Sequence, residues 1–187
     1  MWTYLPYGPF EDAGSYRDWL ESVAGNQDPI FFAIISQERG RALGLAAFLR
    51  AQPSDGSIEV GHLAFSPALQ GTTPATEAMV LMMTTVFDDL GYRRYEWKCD
   101  GLNAPSRRAA LRLGFVYEGT FRQASVVKGR NRDTAWFSVI DKDWPLLKAA
   151  FQKWLAPENF DHGGRQRVAL SDMTRRISER VPDVATD

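Results

Sequence analysis

The sequence predicts an α/β (α+β) fold, a mixed, mostly antiparallel central sheet flanked by helices. Three strand-like runs follow one another between residues 30 and 65 with only turn residues between them, the pattern of consecutive antiparallel strands. Helical apolar spacing then takes over across residues 74–90. Beyond it, strand and helix patterns interleave to residue 155, as they do when every strand joins one sheet.

The elements follow in order. Phe10, Tyr16, Trp19, Leu20 and Val23 recur at helical spacing, which predicts a helix from near Glu11 to Gly25. Ile30–Ser36 and Ala42–Leu49 are apolar runs parted by Gln37-Glu38-Arg39-Gly40-Arg41, a hairpin. Pro53-Ser54-Asp55-Gly56 turns the chain into a third strand, Ser57–Phe65, which Ser66-Pro67 closes. Met79, Met82, Met83, Val86, Phe87 and Leu90 then mark the long helix, with Gly91 placed to stop it. Tyr92–Cys99 reads as a strand, Pro105–Leu113 as a short helix ended by Gly114, and Phe115–Lys128 as a long strand. Gly129-Arg130-Asn131-Arg132-Asp133 reads as a turn, Thr134–Ile140 as the last strand and Trp144–Leu155 as a helix.

Length and composition narrow the class. The chain has 187 residues, suited to one domain with a substantial core or a domain plus a tail, and we divide it into a domain at 1–157 and a polar tail at 158–187. Within the tail, Val168, Leu170, Met173, Ile177 and Val181 are spaced for a weak amphipathic helix that needs a partner surface. A net charge of −1 offers no general basic surface for nucleic acid, so any anion must be held locally. No apolar run approaches the roughly 20 residues that span a bilayer, and Met1-Trp2-Thr3-Tyr4 does not resemble a signal peptide, so we expect a cytoplasmic protein with no membrane partner. One cysteine, Cys99, excludes an internal disulfide framework, and two histidines, His62 and His162, argue against a metal site.

The stretch Gln70-Gly71-Thr72-Thr73-Pro74-Ala75-Thr76-Glu77 joins the third strand to the long helix. Pro74 suits the first helical turn, where its missing N–H is no loss, and Thr73 before it is placed to cap. A helix start so specified presents free N–H groups and the positive end of the helix dipole, a fit for a pyrophosphate. A second unit, Asn103-Ala104-Pro105-Ser106-Arg107-Arg108 through Leu113-Gly114-Phe115, again joins strand to helix.

Together these units resemble the GNAT superfamily of acyl-CoA-dependent N-acetyltransferases, from about residue 30 to residue 155. The Ala75-Thr76-Glu77-Ala78 helix start and the turn holding Gly129, Arg130 and Asp133 resemble its RimJ/RimL-like branch. The resemblance implies acetyl-CoA as co-substrate and an amine acceptor, a peptide N-terminus or a small molecule. It implies a strand pair, 57–65 and 92–99, that splays apart to admit the pantetheine arm, with a backbone N–H near the end of the first strand polarising the thioester carbonyl. The cofactor residues it implies are Phe65, Gln70, Gly71, Thr72, Thr73, Pro74, Ala75, Thr76, Asn103 and Ser106. Thr73 stands where the family usually has Gly, and the hydroxyls of Thr72 and Thr73 are expected to donate to the phosphates.

The catalytic residues implied are Ser106, donating to the departing sulfur, and Glu59, the acidic residue of Glu59-Val60-Gly61-His62, as base. Asp100 and His62 are alternatives for the base, and each also has a bland reading as a cap or a packed strand residue. Asn103 is equally a cap for the helix that Pro105 begins. Arg107, Arg108 and Arg112 suit either a 3′-phosphate or a solvated helix face. Glu96 and Lys98 alternate with Tyr95 and Trp97, so they share one face as a paired or solvated set. Cys99 reads as a buried, inert thiol. Trp2, Tyr4, Tyr7, Phe10, Phe31 and Phe32 read as core, or as a wall of the acceptor site.

Three functions stay open at this point: an acetyltransferase, a CoA-binding module without catalysis, and a protein-interaction domain. Only nine residues precede Phe10, less than the family usually has there, so either the chain begins late, the first strand is supplied otherwise, or the form is shortened, and one reading is that the first strand is missing. That leaves Ile30–Ser36 as an exposed edge suited to a homodimer.

Overall fold

The computed structural model describes residues 2–178. Its elements are α1 (Ala13–Val23), β1 (Ile30–Ser36), β2 (Arg41–Gln52), β3 (Ser57–Phe65), α2 (Thr73–Thr84), β4 (Arg94–Asp100), α3 (Ala104–Arg112), β5 (Val116–Val127), β6 (Arg130–Ile140), α4 (Trp144–Leu155) and α5 (Leu170–Ser178). Single 3-10 turns occupy Trp2–Tyr4 and Pro157–Asn159. The six strands form one mixed sheet in the order β1-β2-β3-β4-β6-β5, the architecture the sequence predicts. Every neighbouring pair is antiparallel except β3 and β4. Those two are parallel because the chain between them returns through α2, and a parallel pair needs such a crossover.

Strand alternation decides which face carries the core. In β4, Tyr95, Trp97 and Cys99 are buried while Arg94, Glu96, Lys98 and Asp100 alternate with them. Phe48, Ile58, Val60, Phe137 and Val139 join the buried set from the neighbouring strands. Against it lie Met79 and Met83 of α2 and Trp144, Leu147, Phe151 and Trp154 of α4. Each fully buried side chain of this size stabilises the fold by about 1.5–3 kcal/mol. Gly114 ends α3 in a left-handed conformation, φ +84°, and a Cβ there would stand 2.2 Å from Leu147 Cδ2. Glycine is required on both counts, and it lets β5 leave close against α4.

Several boundaries differ from the sequence expectation. Asp12 caps α1, accepting the Ser15 N–H, so that helix starts two residues late. The helix expected over 74–90 is α-helical only to Thr84 and continues as a wider π-turn, Thr85–Asp89, before Gly91. The turn expected at 129–133 contracts to Lys128-Gly129, at φ +51° and +72°, the left-handed pair that a two-residue hairpin uses. Arg130 to Asp133 belong to β6: Arg130, Asn131 and Arg132 stand opposite Val127, Val126 and Ser125, and after a register shift Thr134 and Ala135 meet Phe121 and Thr120. This hairpin end carries no core alternation because almost all of it is exposed, so polar residues there read as a loop.

The weak helix expected in the tail is α5, which packs on α3 and α4. Leu170 and Ile177 are buried, and the buried Thr174 hydroxyl donates to the Arg112 carbonyl. The partner surface it needs is supplied by its own chain. Val181, the last position of that pattern, lies outside the described residues. At the other end of the sheet β1 pairs with β2 alone among the described strands, leaving Ile30 and Ile35 44% and 57% exposed.

Candidate active site

The parallel pair parts halfway along. Ser57 to Val60 face Arg94 to Trp97, and there the register ends, although β3 runs on to Phe65 and β4 to Asp100. The cause sits in β3. Its register with β2 shifts between Ala47↔Gly61 and Leu45↔Ala64, and His62 within the shift takes φ +52°. Such a bulge bends its strand and ends pairing on the far side. The opening leads to a cavity of about 500 Å³. Trp97, Cys99, Asn103 and Ser106 line it from the core side, Glu59, Lys98, Thr134, Trp136 and Arg132 from the other sheet face, and Tyr4, Leu5 and Pro6 over it.

On the core side, Asn103 caps α3 by accepting the Ser106 N–H at 3.3 Å, which holds Ser106 in the first turn beside β4. The Trp97 indole N–H donates to Ser106 Oγ at 3.0 Å. A hydroxyl that accepts one hydrogen bond becomes a better donor of its own proton. Cys99 is buried beside it; burial pushes its thiol up, and the hydrogen bond with Ser106 only partly opposes this. It is therefore a protonated, weakly nucleophilic thiol at neutral pH.

At the start of α2 the geometry departs from the sequence reading in one useful way. Thr72, not Thr73, is the N-cap: its hydroxyl accepts the Ala75 N–H at 3.4 Å and donates to the Leu69 carbonyl at 2.6 Å. The left-handed position is Gly71, at φ +71°, and Thr73 is simply the first helical residue. Threonine therefore meets no conformational penalty where a glycine is usual. Pro74 has no N–H and Thr72 takes that of Ala75, which leaves the N–H of Thr73 in this first turn to an external acceptor. Other members of the set point elsewhere. The Thr76 hydroxyl is buried and accepts from Arg112 Nη1 at 3.0 Å, and Gln70 Nε2 donates to the Phe65 carbonyl at 2.7 Å. Arg112 also lies over the Trp154 ring, at 5.2 Å, while Arg107 reaches the Gly101 carbonyl.

The three candidate bases have different surroundings. Glu59 is buried, and its Oε2 meets Arg50 Nη1 at 2.7 Å and Lys98 Nζ at 2.9 Å. Lys98 continues to Glu96 at 2.8 Å, and Arg94 joins Glu96 to Glu118, so a charged ladder crosses the sheet. Burial works to raise Glu96, but hydrogen bonds from Lys98 and Arg94 together hold it below its ordinary value. Asp100 accepts the Leu102 N–H at 2.8 Å, a loop-closing bond. His62 lines the cavity with its Nδ1 buried and unpartnered, its ring stacked on Tyr7 at 5.6 Å and edge-on to Phe31 at 5.1 Å. Burial, helped by Arg50 and opposed by Asp28, lowers its pKa below the ordinary histidine value.

The N-terminal segment closes the mouth. Lys128 Nζ donates to the carbonyls of Trp2 and Tyr7, Arg130 to that of Thr3, and the Tyr4 hydroxyl to that of Leu102. Trp2, Tyr7, Phe10, Tyr16 and Trp19 pack on one another beside His62 as a partly exposed aromatic plate behind the cavity, whose lining takes only Tyr4 from the aromatic residues of this segment. Sequence reading named Tyr4 as a wall of the site as one alternative, and missed Trp97 as the partner of Ser106 and Leu5, Pro6, Arg132 and Trp136 as cavity walls. Alternation along β4 marks Trp97 as inward, but nothing in the sequence marks the others, because strand order and hairpin register place them.

Comparison with known proteins agrees with this geometry. A family model described as an acetyltransferase (GNAT) domain matches residues 1–116. The chain is 49% identical to a GCN5-related N-acetyltransferase of Brucella melitensis of known structure, with a TM-score of 0.91 over 93% of this chain and 79% of that one. A probable GNAT-family acetyltransferase of Chromobacterium violaceum is 47% identical, with a TM-score of 0.72 over 77% of this chain and 72% of that one. An uncharacterized N-acetyltransferase, p20, of Bacillus licheniformis is 27% identical over 146 residues, 75% of this chain and 80% of its own length.

Proposed function

Because the chain belongs to the GNAT family of acetyltransferases, we propose that it transfers the acetyl group of acetyl-CoA directly to a primary amine, with both substrates bound together. The observation that carries this reading is the parting of β3 from β4 beside Ser106, which leaves a passage through the sheet. The residues present fit the co-substrate. Gly71 has open space around its α-carbon, the N–H of Thr73 is uncommitted, and the cavity continues past Asn103 and Ser106. Gln70, Gly71, Thr72, Thr73, Pro74 and Ala75 form the proposed pyrophosphate cradle. Phe65 and Thr76 support it through the bonds they make to Gln70 and Arg112.

Acetyl-CoA supplies an acetyl group on a thioester. An N–C bond forms as the C–S bond breaks, a base takes the proton of the attacking amine, and Ser106 gives its hydroxyl proton to the sulfur. An N–H near the end of β3 is the proposed donor to the thioester carbonyl. Of the candidate bases the surroundings favour His62: its imidazole is neutral at pH 7 and lines the cavity. Glu59 already shares an oxygen with two cations, so we give it the role of holding Lys98 and Arg50 in place, with proton uptake through a water as its second route. Asp100 is spent on its loop.

The acceptor is a peptide N-terminus or a small amine, and the Ala75–Ala78 helix start supports a place in the RimJ/RimL-like branch. We place the reaction in the cytoplasm and assign it to residues 1–157, with the segment after them bracing α3 through Thr174. The exposed apolar edge of β1 is the proposed seat of a second copy. A CoA-binding module without catalysis is the second reading, favoured by the two cations on Glu59. Thiol release from acetyl-CoA with a panel of amines separates the two, and calorimetry showing no CoA binding removes both.

A further inference from the structure

Buried polar atoms are nearly always paired, and leaving a donor unpaired costs about 1–3 kcal/mol, so those that persist ask for an explanation. Among the described residues, Arg132 Nε and Trp136 Nε1 are buried donors with no partner, and both residues line the cavity on the sheet face away from Ser106. The other cations there, Arg50 and Lys98, are committed to Glu59. Among the described residues no carboxylate lies within salt-bridge distance of Arg132. It stands on β6 two residues from Thr134 and four from Trp136, so alternation turns all three to one face, and Thr134 and Ser125 add hydroxyls to the same wall. Over this region the N-terminal strap, Trp2 to Tyr7, is tied at four points: Lys128 donates to the carbonyls of Trp2 and Tyr7, Arg130 to that of Thr3, and the Tyr4 hydroxyl to that of Leu102.

We propose that the acceptor is a small amine that also carries a carboxylate, of the amino-acid class, with Arg132 binding the carboxylate and Trp136 N–H donating to a neighbouring oxygen. The inference rests on the acetyltransferase reading for its chemistry and on the cavity alone for its recognition. Arginine suits the task because its fork of N–H groups matches a carboxylate and keeps its charge at every working pH. The strap limits the acceptor's size, since a polypeptide entering from this side must displace it.

The test pairs each amino acid with the amine left by removing its carboxylate: L-phenylalanine with phenethylamine, L-lysine with cadaverine. In thiol-release assays kcat/KM for the best amino acid exceeds that of its decarboxylated partner by about 10-fold or more. In Arg132→Gln this ratio falls toward one, mainly through KM, while Arg132→Lys keeps part of it. Trp136→Phe, which removes the indole N–H and keeps an aromatic ring under Lys98, lowers the ratio by a smaller factor. Decarboxylated amines used as well as amino acids by the unaltered protein, or a ratio unmoved in Arg132→Gln, overturns the proposal. If no amine is acetylated although CoA binds, the catalytic reading fails on its own. Calorimetry of the same amino acids with the CoA-loaded protein then decides recognition: binding lost in Arg132→Gln supports it, and no binding by the unaltered protein refutes it.

Discussion

The Trp97 indole N–H and the Ser106 hydroxyl meet at 3.0 Å, joining β4 to the first turn of α3 at the point where β3 has parted from its neighbour. The hydroxyl thus has one of its two acceptor lone pairs occupied by the indole, which leaves its own proton outside that bond. Ser106→Ala is expected to lower kcat by about 10²-fold while CoA affinity measured by calorimetry changes little. Trp97→Phe, which removes the N–H and keeps a large ring, should lower kcat by a smaller factor. Full activity in Ser106→Ala would remove the serine from the reaction.

The pH dependence follows from His62. Its pKa lies below 6.5, so the imidazole is neutral above that pH and becomes charged as pH falls through the lowered value. A neutral base loses its function on protonation, so kcat/KM should hold from neutral pH through the ordinary histidine range and fall only as pH passes through the lowered value. In His62→Gln that acidic limb disappears along with most of the rate. A limb unchanged in this variant assigns it to another group.

Glu59 is 5% exposed at its side chain and Lys98 10%, so removing one charge leaves the other buried with half its partners. Glu59→Gln should cost about 3 kcal/mol and lower Tm by roughly 6 °C or more. Arg50, 60% exposed, contributes little to that loss. A Tm within 1 °C of the parent, on a roughly 3 °C per kcal/mol scale, would show the ladder to be dispensable.

Gly114→Ala combines a strained φ of +84° with a Cβ 2.2 Å from Leu147 Cδ2. A loss of about 3 kcal/mol or more is expected, read by urea denaturation. Gly71→Ala has open space around it at φ +71°, so its loss should be only about 1 kcal/mol in stability, with the larger effect on CoA affinity. Equal stability losses at the two glycines would contradict this contrast.

Thr72→Val removes the cap of α2 and should cost about 1 kcal/mol. Thr73→Gly should not tighten CoA, because Thr73 already has a helical backbone and no left-handed strain to relieve. Urea denaturation checks the first and calorimetry with CoA the second, and a clear gain in affinity for Thr73→Gly would reopen the alignment of this turn.

The sequence alone determined the element order, the mixed sheet, the helix start after Gly71 and the pair of Asn103 and Ser106. These are local matters: apolar period, proline and glycine positions, and side chains that bond their own backbone within a few residues. It also placed Cys99, Trp97 and Tyr95 on one face, because strand alternation is local too. Tertiary structure decided the rest. The two cations on Glu59 come from β2 and β4, the neighbours of Arg132 depend on how far the β5–β6 hairpin runs, and the strap over the cavity is held by residues more than 90 positions away. Such contacts depend on register and strand order, and a polar hairpin end or a lone bulge at His62 leaves no periodic mark in the chain. The folding surface for α5 was likewise invisible, since its apolar stripe says that a partner is needed and not that α3 and α4 provide it.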